Sequence, residues 1–68
     1  MSVTIKLNGR NKSLADRMSV LDLLGLLGIL PRGVIIERNQ KILGMNSIDQ
    51  VTLEDGDEVE IIRIVGGG

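Results

Sequence analysis

The residues of this chain with the clearest chemical use sit at its end, where Gly66-Gly67-Gly68 follow the apolar run Ile61-Ile62-Arg63-Ile64-Val65. Glycine has no side chain and loses more conformational freedom on ordering than any other residue, so three in succession add nothing to packing. Fully extended, they reach about 10 Å past the last residue that a sheet can hold. The group this exposes is the carboxylate of Gly68, on a tail thin enough to enter a narrow enzyme pocket where any Cβ would clash. Taken alone, a glycine end is also what a frayed or engineered terminus looks like, so the chain behind it has to decide.

Composition removes most other chemistry. None of the 68 residues is His, which takes away the usual general base near neutral pH and the commonest metal ligand. There is no Cys, hence no disulfide framework and no thiolate site. Eight basic residues face nine acidic ones, a balance that argues against nucleic acid, and without Phe, Tyr or Trp the chain offers bases no stacking platform. The core has to be built from Ile, Leu, Val and Met. Met1-Ser2-Val3-Thr4 carries no secretory signature, and the longest nearly apolar run, Leu23 to Leu30, is too short to span a bilayer. A soluble cytoplasmic protein with no membrane partner is expected. The acidic residues Glu54, Asp55, Asp57, Glu58 and Glu60 lack the spacing of a calcium loop and read as a solvated turn that could steer a basic partner; no metal or cofactor is expected.

The elements that must position the tail can be read in order. Val3, Ile5 and Leu7 alternate with Thr4 and Lys6, the period of a strand buried on one face. Asn8-Gly9 tolerates the positive φ angles of a tight hairpin, and Asn11 to Ala15 can return antiparallel. Ser19 and Asp22 form the pattern of a capping box, with Met18 and Leu23 placed as a hydrophobic staple. Val20, Leu23, Leu24 and Leu27 share one helical stripe, Gly28 suits the C-cap and Pro31 forbids continuation, so the helix ends near Leu27. For Gly25 inside it, close packing is the only account the sequence offers. Val34 to Arg38 is a third strand, Asn39-Gln40 its turn, and Lys41 to Leu43 a brief fourth strand. Between Gly44 and Leu53 the pattern is weak, with Ile48, Val51 and Leu53 free to plug the core; Glu58 to Val65 forms the last strand.

One helix cannot cover both faces of such a sheet, so one face stays open. The expected fold is α+β: a β-grasp domain over residues 1–65, with a four- to five-stranded mixed sheet, one helix on one face, and the first and last strands parallel at the centre, followed by a flexible tail at 66–68. Along the last strand the apolar side switches. If Val59 and Ile61 face the helix, Ile62 and Ile64 emerge on the open face beside Ile35 as a patch for a partner; a bulge that restores the register, or a central strand simply apolar on both sides, is the competing reading.

Four stretches together resemble the ThiS family, the ubiquitin-like sulfur carriers of thiazole formation in thiamine biosynthesis. They are the first strand ending Leu7-Asn8-Gly9, the helix start Ser19 to Leu24, the strand Val34 to Asn39, and above all Leu53 to Arg63 running into Val65-Gly66-Gly67-Gly68. The turn after the third strand departs from the family's frequent Asn-Gly-Glu, reading Asn39-Gln40-Lys41. The resemblance implies a carrier rather than an enzyme. Gly68 would be adenylated by an E1-like activating enzyme, converted to a thiocarboxylate with sulfur from a cysteine desulfurase or rhodanese-type donor, and used by thiazole synthase. Gly66 and Gly67 would give clearance; Ile35, Ile62, Ile64 and Val65 would form the partner surface; and the free chain would be a monomer. Molybdopterin-synthase small subunits share the fold and a Gly-Gly end, and a ubiquitin-like modifier or interaction domain is a further alternative.

Overall fold

The computed structural model of the chain describes residues 2–64. Five strands form a mixed sheet in the order β2-β1-β5-β3-β4: β1 is Val3–Leu7, β2 Arg10–Leu14, β3 Val34–Arg38, β4 Lys41–Leu43 and β5 Glu58–Arg63. The single α-helix of the described residues, α1, spans Val20–Leu27. β1 and β5 run parallel at the centre, and β3 joins β5 antiparallel from the other side. The expected β-grasp arrangement is the one adopted.

Local chemistry explains each boundary. Asn8 and Gly9 take φ angles of 48° and 82°, so the reversal needs two residues and Leu7 pairs with Arg10. The second strand therefore runs Arg10–Leu14, one residue earlier than expected, with Ala15 outside it. The capping box is complete: the Asp22 N–H donates to Ser19 Oγ at 3.0 Å and the Ser19 N–H to Asp22 Oδ2 at 3.4 Å. At the other end Gly28 adopts φ 73°, and the Ile29 N–H reaches back to the Leu24 carbonyl at 2.9 Å, a Schellman closure. A 3₁₀ turn over Pro31–Gly33 then leads into β3.

Val3, Ile5, Leu14, Val20, Leu23, Leu24, Val34, Ile36, Ile48, Leu53 and Val59 make one buried cluster, with Met18, Leu27 and Ile61 packed against it. The segment from Gly44 to Leu53 forms consecutive turns whose order comes from the helix start. The first amides of a helix have no partner within it. Here the Val20 N–H donates to the Val51 carbonyl at 3.2 Å and the Leu21 N–H to the Ile48 carbonyl at 2.9 Å. Ile48 and Leu53 are thereby held in the core, as the sequence allowed.

Two further expectations change. β5 ends at Arg63; Ile64 lies past it, although its N–H still donates to the Gly33 carbonyl at 3.0 Å, and Val65 is outside the described residues. Close packing does not account for Gly25, since a Cβ there would have nothing within 4 Å.

Candidate functional site

Strand β5 leads to the glycines, so what holds β5 holds their approach. Gly66, Gly67, Gly68 and Val65 themselves lie outside the described residues.

The start of the strand is fixed by a residue that composition assigned to a solvated turn. Asp57 is only 7% exposed. Its Oδ2 accepts from Arg38 Nε and from the Glu54 N–H, both at 2.8 Å, and its Oδ1 accepts from Asn39 Nδ2 at 3.1 Å. Its carbonyl accepts the Lys6 N–H of β1 at 2.8 Å. Burial works against the charge, but the Glu54 amide, the Asn39 side chain and Arg38 outweigh it and hold the carboxyl below its ordinary range. One carboxylate thus ties together the turn, β3 and, through its backbone, β1. Neighbouring Asp55 accepts the Thr4 N–H at 2.7 Å, so the cluster is structural at two positions. Among the described residues no group of acidic side chains is arranged to hold a metal ion.

Two asparagines in left-handed conformation flank β5. Asn39, at φ 52°, donates its N–H to the Glu58 carbonyl at 2.7 Å while its Oδ1 accepts the Glu58 N–H at 2.9 Å. Asn8 does the corresponding work at the other edge: its Oδ1 accepts the Ile61 N–H at 2.7 Å and its Nδ2 donates to the Ile61 carbonyl at 3.3 Å.

The face of the sheet turned away from α1 is bare. Pairing between β3 and β5 is one-to-one from Val34↔Arg63 to Arg38↔Val59, so there is no bulge, and the apolar switch along β5 is real. Val59 is buried and Ile61 packs on the core, whereas Ile62 is 42% and Ile64 54% exposed. Ile35, 39% exposed, is the register partner of Ile62. Ile42 on β4, 68% exposed, lies on the same face opposite Glu37 and was not singled out from the sequence, because a three-residue strand has too little pattern to show its face. Farther from the tail the face turns polar: Glu60 pairs with Glu37, and Glu58 with Lys6. No helix of the described residues is long and apolar enough to cross a membrane.

The comparisons with known proteins agree with this geometry. The crystal structure of the thiamine biosynthesis protein ThiS from Geobacter metallireducens superposes with a TM-score of 0.84 at 30% identity, covering 97% of this chain and 100% of that one. The sulfur carrier protein ThiS of Bacillus subtilis (strain 168) is 38% identical over 65 residues, 94% of this chain and 98% of the relative. A thiazole synthase of Paramagnetospirillum magneticum is 42% identical over 62 residues, 91% of this chain but 19% of its own, so the present chain spans about a fifth of that relative. The sequence profile of the ThiS family matches residues 5–68. With the profile covering nearly the whole sequence, from β1 through the three glycines, the chain belongs to the ThiS family.

Proposed function

We propose that this chain is a sulfur carrier protein of thiamine biosynthesis, not an enzyme, and that the Gly68 carboxylate is where the sulfur is carried. The observation that carries the reading is the match to the Bacillus sulfur carrier over almost the full length of both chains. The chemistry suits what the chain has. A carboxylate is a poor electrophile until one oxygen becomes a good leaving group. Attack of Gly68 on ATP, catalysed by an E1-like activating enzyme, would expel pyrophosphate and leave an acyl adenylate. The terminal sulfur of a persulfide on a desulfurase- or rhodanese-type donor would then displace AMP to give an acyl disulfide. Attack of a thiol on the donor's own sulfur would break the S–S bond, releasing the thiocarboxylate and leaving the donor in a new disulfide.

Thiazole synthase is the acceptor in this reading. A segment similar to this chain occurs within a longer chain named thiazole synthase, and covalent union of two proteins is the limiting case of high effective concentration. Gly66 and Gly67 give the tail its clearance, and Ile35, Ile62, Ile64 and Val65 are the docking surface beside it. Exposed isoleucines on adjacent strands, backed by a rigid sheet, suit a partner that covers them.

The test is intact mass after incubation of the full chain with ATP, a sulfur donor and the activating enzyme from the same organism. Replacement of one oxygen by sulfur adds about 16 Da. Deletion of Gly68 is expected to abolish the gain and leave the fold intact. Sulfur loading that persists in the deletion, or transfer of the chain onto other proteins in place of loading, would sink the reading.

A further inference from the structure

Strand β1 accompanies β5 only part of the way. Their last register pair is Leu7↔Val59, after which the chain turns through Asn8 and Gly9 into β2. Along β5 the amide groups alternate between edges. Glu58 and Ile64 bond toward the β3 side, accepting from the Asn39 N–H and donating to the Gly33 carbonyl, so Ile61 faces the side that β1 has vacated. There the Asn8 side chain meets it, accepting the Ile61 N–H at 2.7 Å and donating to the Ile61 carbonyl at 3.3 Å. One primary amide replaces the peptide group that a longer β1 would have presented. Its backbone φ of 48° lets the chain reverse while the side chain stays beside β5.

The end of β5 is therefore held unequally. On one edge β3 pairs with it as far as Arg63; on the other, past Val59, the hydrogen bonds among the described residues come from one side chain. The docking isoleucines Ile35 and Ile62 belong to the β3–β5 pairing and do not need Asn8 to stay in register. The direction in which β5 hands over to residues 65–68 does need it, because a strand pinned along one edge alone can pivot about that edge.

We infer that Asn8 is a positioning residue for the tail, fixing the line along which β5 delivers the Gly68 carboxylate to the activating enzyme. This rests on the reading of Gly68 as the reacting group. Its signature is separation of rate from docking: with the amide removed, the partner still binds the open face but the carboxylate is less often in line for attack, which lowers kcat more than it raises KM.

Asn8→Gly is the informative variant, since glycine accepts the left-handed backbone and only the amide is lost. Using the full chain with its activating enzyme, ATP and sulfur donor, kcat for the mass gain is expected to fall about tenfold, with KM inside about twofold of wild type. Hydrogen exchange at the Ile61 amide should accelerate, while Ile62 and Ile64 stay protected. Ile48→Val, a core change 40 residues from Asn8 in sequence and on neither β1 nor β5, serves as the control for lost stability; it should lower Tm and leave kcat alone. If Asn8→Gly fails to fold, Asn8→Asp replaces it: it keeps an acceptor for the Ile61 N–H but sets an oxygen against the Ile61 carbonyl, and the same fall in kcat is expected. A folded variant that loads at the wild-type kcat, or that changes KM alone, beside a wild type that loads normally, would overturn the inference by itself. A wild type that takes up no sulfur would overturn the carrier reading and this inference with it.

Discussion

Ile35 and Ile62 stand directly opposite each other on antiparallel neighbours β3 and β5, both on the face that α1 leaves bare. A cross-strand apolar pair contributes about 0.2–1 kcal/mol to the sheet, so these side chains cost little to lose from the free domain. In the proposed reading their other use is against a partner. Ile62→Asp is expected to weaken binding to the activating enzyme by about tenfold or more while costing the fold about 1 kcal/mol at most. Titration calorimetry against the enzyme and thermal melts of the variant measure the two effects side by side; a collapse in Tm with affinity unchanged among the folded molecules would return Ile62 to the core.

Asp57 links pH to stability. Against the opposing effect of burial, the Glu54 amide, Asn39 and Arg38 hold its carboxyl below its ordinary range in the folded chain, so the stabilisation it gives is fully present above the unfolded value and is lost as pH falls through the folded one. Hydrogen bonds to a charged group are worth about 1.5–3 kcal/mol, so Asp57→Asn is expected to cost roughly 2 kcal/mol at pH 7. Denaturant titrations of both proteins should converge as the pH is lowered below about 4, the region where the wild-type carboxylate takes up its proton. Curves that stay parallel down to acid would mean the charge is not what matters.

Gln40 occupies the second position of the β3–β4 turn at φ 71°, a left-handed conformation that glycine adopts without strain. Holding a side chain in the left-handed region costs about 1–2 kcal/mol. Glycine removes that strain but gives back about 0.5–1 kcal/mol through the freer unfolded chain. Strain is the larger effect, so Gln40→Gly should stabilise by about 0.5–1 kcal/mol, seen as a higher midpoint in urea with an unchanged slope.

Gly25 is the opposite case. It lies within α1 on the exposed side, and a Cβ there meets nothing within 4 Å. Gly25→Ala should add about 1 kcal/mol and, in a domain of this size, raise Tm by about 4–8 °C. A fall in Tm would point to a constraint on this helix that the free chain does not display.

How much could be read in advance follows from the range of the interactions. The alternation of β1, the Asn8-Gly9 turn, the Ser19–Asp22 capping box, the Gly28 C-cap, the β-branched β3 and the glycine tail are all written within a few neighbouring residues, where backbone sterics and local hydrogen bonds decide the outcome. That was enough for the β-grasp order; the face on which Ile35 and Ile62 emerge stayed open between a patch and a bulge until the one-to-one register of β3 and β5 decided it. What the sequence could not disclose was the partner of each polar group. Asp57 looks like any acidic turn residue until β3 brings Arg38 and Asn39 to it from 19 and 18 positions away. Asn8 reads as a turn former, yet its amide serves Ile61, 53 residues later. Whether such a group is solvated or buried, and whose hydrogen bond it completes, depends on elements that meet only when the sheet closes, and periodicity along the chain carries no record of that meeting.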